Sequence, residues 1–281
     1  MKNTNIIKAH LGLFAAGSMW GLMAPIGKLA MDAGISNLSL ATMRMVGAAV
    51  CFWIASLFAP KEKVSSRDLI LLFFAALLSI VFNQGVFIVG LSLTSPVDAS
   101  IITTSLPVIT MILAALFLKE PVTIMKVTGV LMGTIGALVL VLSNHGGVDG
   151  TSNSWGNILC LIAQTSFACY LTIFKGLISR YNIFTLMKWM FTYASICFIP
   201  FSFNDLMVMT HQSFTVKVWL EVGYVVLFGT FIAYIFILFG QKTLRPTIVS
   251  MYNYVQPIVG ASVSVLIGIG TFGWAKACAS L

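Results

Sequence analysis

The amino-acid sequence predicts an all-α polytopic membrane protein with ten transmembrane helices in a 5+5 inverted repeat. Hydrophobic residues make up 59% of the chain and charged residues only 9%, whereas a soluble domain is roughly 25% charged. Apolar runs of roughly twenty residues recur along the chain, and this length crosses a hydrocarbon core of ~30 Å as a helix. The third observation is a long internal repeat.

The repeat relates residues 90–107 to residues 240–257 at a constant offset of 150. The same residue recurs at four positions, namely Gly90, Pro96, Ser100 and Pro107 in the first segment and Gly240, Pro246, Ser250 and Pro257 in the second. Weaker matches pair Trp20-Gly21 with Phe167-Ala168 and Arg44 with Lys188. A repeat of this length in an apolar chain predicts two homologous halves that pack against each other.

Ten apolar segments follow one another with short connections. They cover residues 9–31, 38–58, 69–91, 96–118, 122–142, 155–177, 183–203, 218–239 and 247–269, and a tenth begins near Thr271 and is cut short at Leu281. The predicted repeats are residues 1–143 and 155–281, joined by a linker at 144–154. Because each half holds five spans, the second half must enter the membrane in the opposite sense, as in inverted-repeat transporters.

Basic residues indicate the orientation. Most of the 16 lysines and arginines fall in alternate connections, and the opposite connections carry mainly acidic residues. Under the positive-inside rule this predicts a cytoplasmic amino terminus. We expect a multi-pass protein of a bacterial inner membrane. The formal charge of +8 then reflects topology, so no nucleic-acid partner is expected.

Two prolines inside predicted spans suggest a central path. Pro107 and Pro257 each free a backbone carbonyl four residues earlier, at Thr103 and Asn253. Exposed backbone at membrane depth is tolerated only beside protein or a watery cavity. The pair predicts two kinked helices that line a cavity, and the alternative is a kink that local packing satisfies.

Polar and aromatic residues inside the spans are candidates for the walls of this cavity. The polar candidates are Asn83, Gln84, Thr103, Ser105, Gln164, Asn253 and Gln256. The aromatic candidates are Trp20, Tyr170, Tyr234 and Tyr254. Buried amides are costly unless they are satisfied, and the alternatives are hydrogen bonds between helices and an interfacial aromatic belt.

Charged residues are few in the spans. Arg44 and Glu120 are candidates for a charge role, and no carboxylate is predicted mid-membrane, so no proton-coupling acid is evident. No His, Cys, Asp or Glu cluster has metal-ligand or catalytic spacing. The sequence therefore predicts no enzyme, cofactor or metal. Gly129 and Gly133 form a small-residue motif, most simply a contact within the bundle and alternatively a homodimer face.

Ordered motifs in both halves resemble an EamA domain of the drug/metabolite transporter superfamily. The first half carries Trp20-Gly21, Arg44, Pro96 with Pro107, and the run Phe117–Thr123. The second half carries Tyr234 and the run Val249–Pro257. The resemblance implies a 5+5 fold, a central cavity and export of small metabolites, often amino acids. Glu120 closes the fourth-span motif in the first half, whereas Gly270 stands at the equivalent position in the second half. The first span also lacks the glutamate to which four-helix relatives couple transport.

The leading hypothesis is a carrier in the lipid bilayer that exports a small-molecule substrate, amino acids first, by alternating access. A drug, nucleobase or nucleotide-sugar carrier is an alternative, although an anionic substrate would favour more intramembrane bases than Arg44. A non-transporting membrane assembly partner is another. A membrane-embedded enzyme would require an ionisable cluster at one depth, and the sequence offers scattered single charges.

Overall fold

A computed structural model describes residues 2–93, 102–143 and 154–266 of the chain, and the described residues contain helices and no strands. The α-helices are α1 (Lys2–Asp32), α2 (Asn37–Leu57), α3 (Ser66–Ala76), α4 (Phe87–Leu93), α5 (Leu106–Leu118), α6 (Ile124–Ser143), α7 (Ser154–Ile173), α8 (Lys175–Arg180), α9 (Ile183–Thr210), α10 (Val216–Val226), α11 (Ala233–Thr243), α12 (Pro246–Met251) and α13 (Val255–Leu266). Two π-helices, Leu77–Val86 and Leu227–Ile232, and a 3₁₀ turn, Tyr252–Tyr254, connect consecutive α-helices.

Within the described part of the chain, six continuous helices are long and apolar enough to cross a membrane. They are Thr4–Asp32, Asn37–Leu57, Ser66–Val86, Ser154–Ile173, Ile183–Thr210 and Val216–Thr243. Two shorter apolar stretches are α5, Leu106–Leu118, and the part Ile124–Gly136 of α6. The predicted ninth span is divided among α12, the 3₁₀ turn and α13. The chain is thus a polytopic membrane protein. The predicted tenth span lies outside the described residues, so the count of ten remains a prediction.

The two ends of the bundle differ in charge. At one end Asp68 accepts hydrogen bonds from Tyr181 Oη (2.6 Å) and Arg180 Nη1 (3.3 Å), and Lys242 Nζ donates to Tyr181 O. We call this the basic end. At the other end Ser36 Oγ donates to Asp205 Oδ2 (2.6 Å). The alternation of basic and acidic connections in the sequence therefore corresponds to two separate faces of the bundle.

The most extensive packing between the two halves is that of α2 against α9. Phe52 stacks on Phe191 with ring centroids 5.5 Å apart, and both side chains are fully buried. Thr42 Oγ1 donates to Ser202 Oγ (2.7 Å) across the same interface. Apolar side chains fill the interior while many others, such as Leu57 and Phe58, are exposed. A helix bundle that is apolar on both its inner and outer faces is suited to lipid.

The two π-helices occupy equivalent positions in the repeat. Leu77 and Leu227, which begin them, are 150 residues apart. Within the second, Thr230 Oγ1 donates to Val225 O, five residues earlier (2.8 Å), and Gly229 O accepts from Trp20 Nε1 (2.9 Å). In the wider turns of a π-helix, some backbone carbonyls lack the hydrogen bond that they would accept in an α-helix. Such turns occur frequently at functional sites.

Gly21 lets α1 approach α13 closely. A Cβ added at Gly21 would lie 2.7 Å from Gln256 O and 2.9 Å from Val259 Cβ. The first of these is a backbone atom, which cannot move aside cheaply. The contact therefore requires glycine at this position.

We expect Gly21→Ala to destabilise the folded protein by about 1–3 kcal/mol through overpacking. The measurement is the thermal midpoint of purified protein in detergent, followed by tryptophan fluorescence. Gly223→Ala is the matched control, because no atom lies within 4 Å of a Cβ at that helical position and alanine is the better helix former. Equal midpoints for the two variants would contradict the role assigned to Gly21.

Candidate functional site

A polar cavity of about 330 Å³ lies between the halves. Its described lining residues are Trp20, Met23, Arg44, Asn83, Gln84, Phe87, Thr103, Leu106, Gln164, Phe167, Tyr234, Asn253 and Gln256. We call this the central cavity. A larger groove of about 450 Å³ between α2 and α9 is lined mostly by apolar side chains such as Met43 and Phe203 and contains none of the predicted site residues.

Equivalent positions of the two repeats line the central cavity together. Four pairs share the offset of 150 or 147 residues, namely Gln84/Tyr234, Thr103/Asn253, Leu106/Gln256 and Trp20/Phe167. In one pair the partners touch, since Gln84 Nε2 donates to Tyr234 Oη (3.2 Å). Both halves therefore contribute matching surfaces to one cavity.

Arg44 breaks this symmetry. Its Nε donates to Thr230 Oγ1 (3.0 Å) in the second π-helix, and its guanidinium lines the central cavity. Its repeat counterpart Lys188 lies instead over the ring of Trp53, 4.6 Å from the centroid. No Asp or Glu is among the described residues that line the cavity. The cavity therefore has one fixed positive charge and no acidic partner for it there.

Gln84 supplies an unpaired acceptor to the same cavity. Its amide nitrogen donates to Tyr234 Oη, while its Oε1 is buried without a hydrogen-bond partner among the described residues. Tyr234 is fixed by the ring of Trp20 at 5.7 Å and by that of Phe191 at 5.0 Å, both edge-on. A buried orphan acceptor is costly, and a ligand donor would satisfy it.

Other amide side chains of the cavity form hydrogen bonds with each other and with backbone carbonyls. Asn83 Nδ2 donates to Ala163 O (3.1 Å), and Gln256 Nε2 donates to Asn253 Oδ1 (2.6 Å). Asn253 Nδ2 in turn donates to Ser250 O (3.2 Å). These bonds fix the orientation of three amides in the cavity wall, those of Asn83, Asn253 and Gln256.

Three predicted cavity residues lie elsewhere. Ser105 Oγ donates to Ile102 O (2.6 Å) within its own turn. Tyr170 is buried, and its hydroxyl donates to Gln241 Oε1 (3.1 Å). Tyr254 points to α6, where its hydroxyl contacts Thr134 Oγ1 (2.7 Å). None of the three lines the central cavity.

Each of the two predicted helix-kink prolines follows a local interruption of the α-helix. Pro107 enters α5 directly after the turn at Thr104 and Ser105. Pro257 stands in the first turn of α13, directly after the 3₁₀ turn. These breaks leave Thr103 and Asn253 at the wall of the central cavity.

The small-residue motif of α6 packs inside the chain. A Cβ at Gly133 would lie 2.4 Å from the ring of Tyr254, and one at Gly129 would lie 3.0 Å from Met251 Cε. This face is therefore occupied by the second half of the same molecule, and the predicted homodimer through it is not supported.

Glu120 is remote from the central cavity, at the basic end. Its Oε1 accepts from Lys126 Nζ (2.7 Å), and it lines a separate pocket with Lys175 and Lys242. Burial lowers the pKa of the Lys175 ammonium to about 8, although nearby Glu120 opposes the shift. A charge role for Glu120 would thus be exercised at the end of the bundle.

Four lining residues were missed by the sequence reasoning, namely Met23, Phe87, Leu106 and Phe167. The repeat carried the signal for two of them, because Leu106 matches Gln256 and Phe167 matches Trp20. Met23 and Phe87 had no such signal, since they are ordinary apolar residues of a span.

The EamA-like transporter family matches residues 7–142 and 154–281 of the chain. The chain therefore belongs to that family, which confirms the resemblance seen in its motifs, and the family indicates a transporter, not an enzyme. A crystal structure with 16% sequence identity superposes with a TM-score of 0.78 over 96% of this chain and 93% of the other, and it supports the fold.

Relatives with similar sequences occur in both prokaryotes and plants, and the prokaryotic ones are named as transporters. The uncharacterized transporter YetK of Bacillus subtilis is 21% identical over 92% of this chain and 79% of its own. An uncharacterized transporter of Archaeoglobus fulgidus is 26% identical over 69% and 67%, respectively. Protein WALLS ARE THIN 1 of Arabidopsis thaliana is 33% identical over 48% of this chain and 37% of its own.

Proposed function

We propose that the protein exports small amino acids with apolar side chains across a bacterial inner membrane by alternating access. The proposal rests on one observation. Arg44, with its guanidinium, and Gln84, whose Oε1 has no hydrogen-bond partner among the described residues, line the same cavity. A guanidinium binds a carboxylate in a bidentate geometry, and a neutral acceptor can take a hydrogen bond from an ammonium. Together they fit the two charged groups of an amino acid.

The rest of the cavity favours a small substrate. Its volume of about 330 Å³ is at the low end of the ~300–1,000 Å³ typical of small-molecule pockets. Met23, Phe87 and Phe167 give it apolar wall for a side chain. A nucleotide sugar carries two phosphates, and a single guanidinium is a poor match for them.

The orientation and mechanism follow from charge and symmetry. The basic end is assigned to the cytoplasm by the positive-inside rule, which also places the amino terminus there. Matching surfaces from the two repeats around one cavity suit rocking of the halves about a fixed site. Because no carboxylate is among its described lining residues, transport is expected to proceed without a proton gradient.

Counterflow in proteoliposomes tests this function. Vesicles containing the protein are loaded with unlabelled L-leucine and diluted into tritiated L-leucine, with and without a pH gradient. We expect transient accumulation of label in both conditions and none in protein-free vesicles. Accumulation only with the gradient would refute uncoupled transport. No accumulation of any amino acid in a panel, from protein shown to be folded, would refute the substrate class.

A further inference from the structure

A second pocket lies at the basic end, with a volume of about 350 Å³. Its lining comes from both halves, and the charged residues are Lys119 and Glu120 on one side and Lys175, Lys242 and Arg245 on the other. It therefore holds four basic side chains and one carboxylate. We call this the basic-end pocket.

The backbone turns Glu120 inward. Lys119 ends α5 in the left-handed region (φ 51°), and the amides of Lys119 and Glu120 both donate to Ala114 O. This reversal leaves Glu120 only 9% exposed. Its Oε1 is paired with Lys126, but its Oε2 is buried and has no hydrogen-bond partner among the described residues. Buried polar atoms are nearly always satisfied, so this oxygen points to a missing donor.

Two lysines are held at the opposite wall by carbonyl groups. Lys175 Nζ donates to Leu244 O (2.5 Å), and Lys242 Nζ donates to Tyr181 O. Each ammonium has three donors, so each keeps two beyond its carbonyl bond. Lys175, Lys242 and Glu120 line the same pocket, so the two ammonium groups and the carboxylate border one space.

We propose that the basic-end pocket is a second amino-acid site. The substrate ammonium donates to Glu120 Oε2, and its carboxylate accepts from Lys175 and Lys242. This proposal rests on the proposed function and extends it, because the same zwitterion is bound at the cytoplasmic mouth as well as in the central cavity. The basic excess around the pocket attracts the carboxylate, while the orphan acceptor selects an ammonium over a simple anion.

The binding stoichiometry of tritiated L-leucine tests the second site. The full-length protein in nanodiscs is titrated at equilibrium. We expect two molecules per chain for the unmodified protein and one for Glu120→Gln, which removes the acceptor charge with little change of shape. Glu62→Gln is the matched control, since Glu62 is an exposed acid at the same end that accepts from Asn182 N. This control should retain two molecules per chain.

The outcomes separate this proposal from the proposed function. One molecule per chain in the unmodified protein, lost in Arg44→Gln and kept in Glu120→Gln, would refute the second site and leave the function intact. No binding by the unmodified protein would refute the function itself. Displacement by inorganic phosphate as effective as by leucine would show a simple anion site and overturn the proposal. If Glu120→Gln does not fold, Lys242→Gln must also give one molecule per chain.

Discussion

Arg44→Gln is expected to weaken L-leucine binding in the central cavity roughly 10- to 100-fold. A hydrogen bond to a charged group contributes about 1.5–3 kcal/mol, and the guanidinium is the only base among the described residues of that wall. The loss should concern the substrate carboxylate. Leucinamide lacks the carboxylate, so Arg44→Gln and the unmodified protein should transport it at similar rates. The unmodified protein should therefore prefer L-leucine to leucinamide, and Arg44→Gln should lose this preference.

The repeat itself provides the control for this result. Lys188 is the counterpart of Arg44 but lies over Trp53, away from the cavity. Lys188→Gln removes an equivalent charge near a helix start and should leave counterflow and discrimination unchanged. If both variants lose counterflow equally, or if Arg44→Gln still discriminates against leucinamide, Arg44 does not bind the carboxylate.

The repeat indicated Thr103 and Asn253 as cavity residues, because each precedes a proline by four residues at equivalent places in the two halves. The other polar candidates were indicated by residue type and by their position inside a span. Thr103 and Asn253 are polar residues at equivalent places in the two halves, and both line this shared surface. The helical fold was equally predictable, since apolar length and composition determine what can reside in lipid.

Two of the three predicted residues that lie away from the cavity, Ser105 and Tyr254, stand where helical geometry changes. Tyr254 ends a 3₁₀ turn, which has fewer residues per turn than an α-helix, so its side chain rotates toward α6 and away from the cavity. Apolar sequences do not encode such local changes of pitch visibly, and the direction of a side chain around a helix could not be predicted there.

Gln84→Leu is expected to weaken L-leucine binding by a similar 10- to 100-fold, for the complementary reason. The leucine side chain introduced at position 84 removes the Oε1 acceptor. It leaves the ammonium of the substrate desolvated beside apolar atoms, at a cost of about 1–3 kcal/mol. The deaminated analogue 4-methylpentanoate has no ammonium, so its affinity should change little. Equilibrium binding of both ligands to the purified variant measures the difference.

Tyr234→Phe is the matched comparison, because it removes the hydroxyl partner of Gln84 Nε2 while Oε1 stays in place. Its effect on leucine should be smaller than that of Gln84→Leu. Arg44 and Gln84 then form a crossed test, in which one variant loses recognition of the carboxylate and the other recognition of the ammonium. Equal weakening of 4-methylpentanoate and leucine in Gln84→Leu would show that Gln84 only supports the wall. Recognition of the ammonium would then have to come from another group, such as the Asn253 and Gln256 amides.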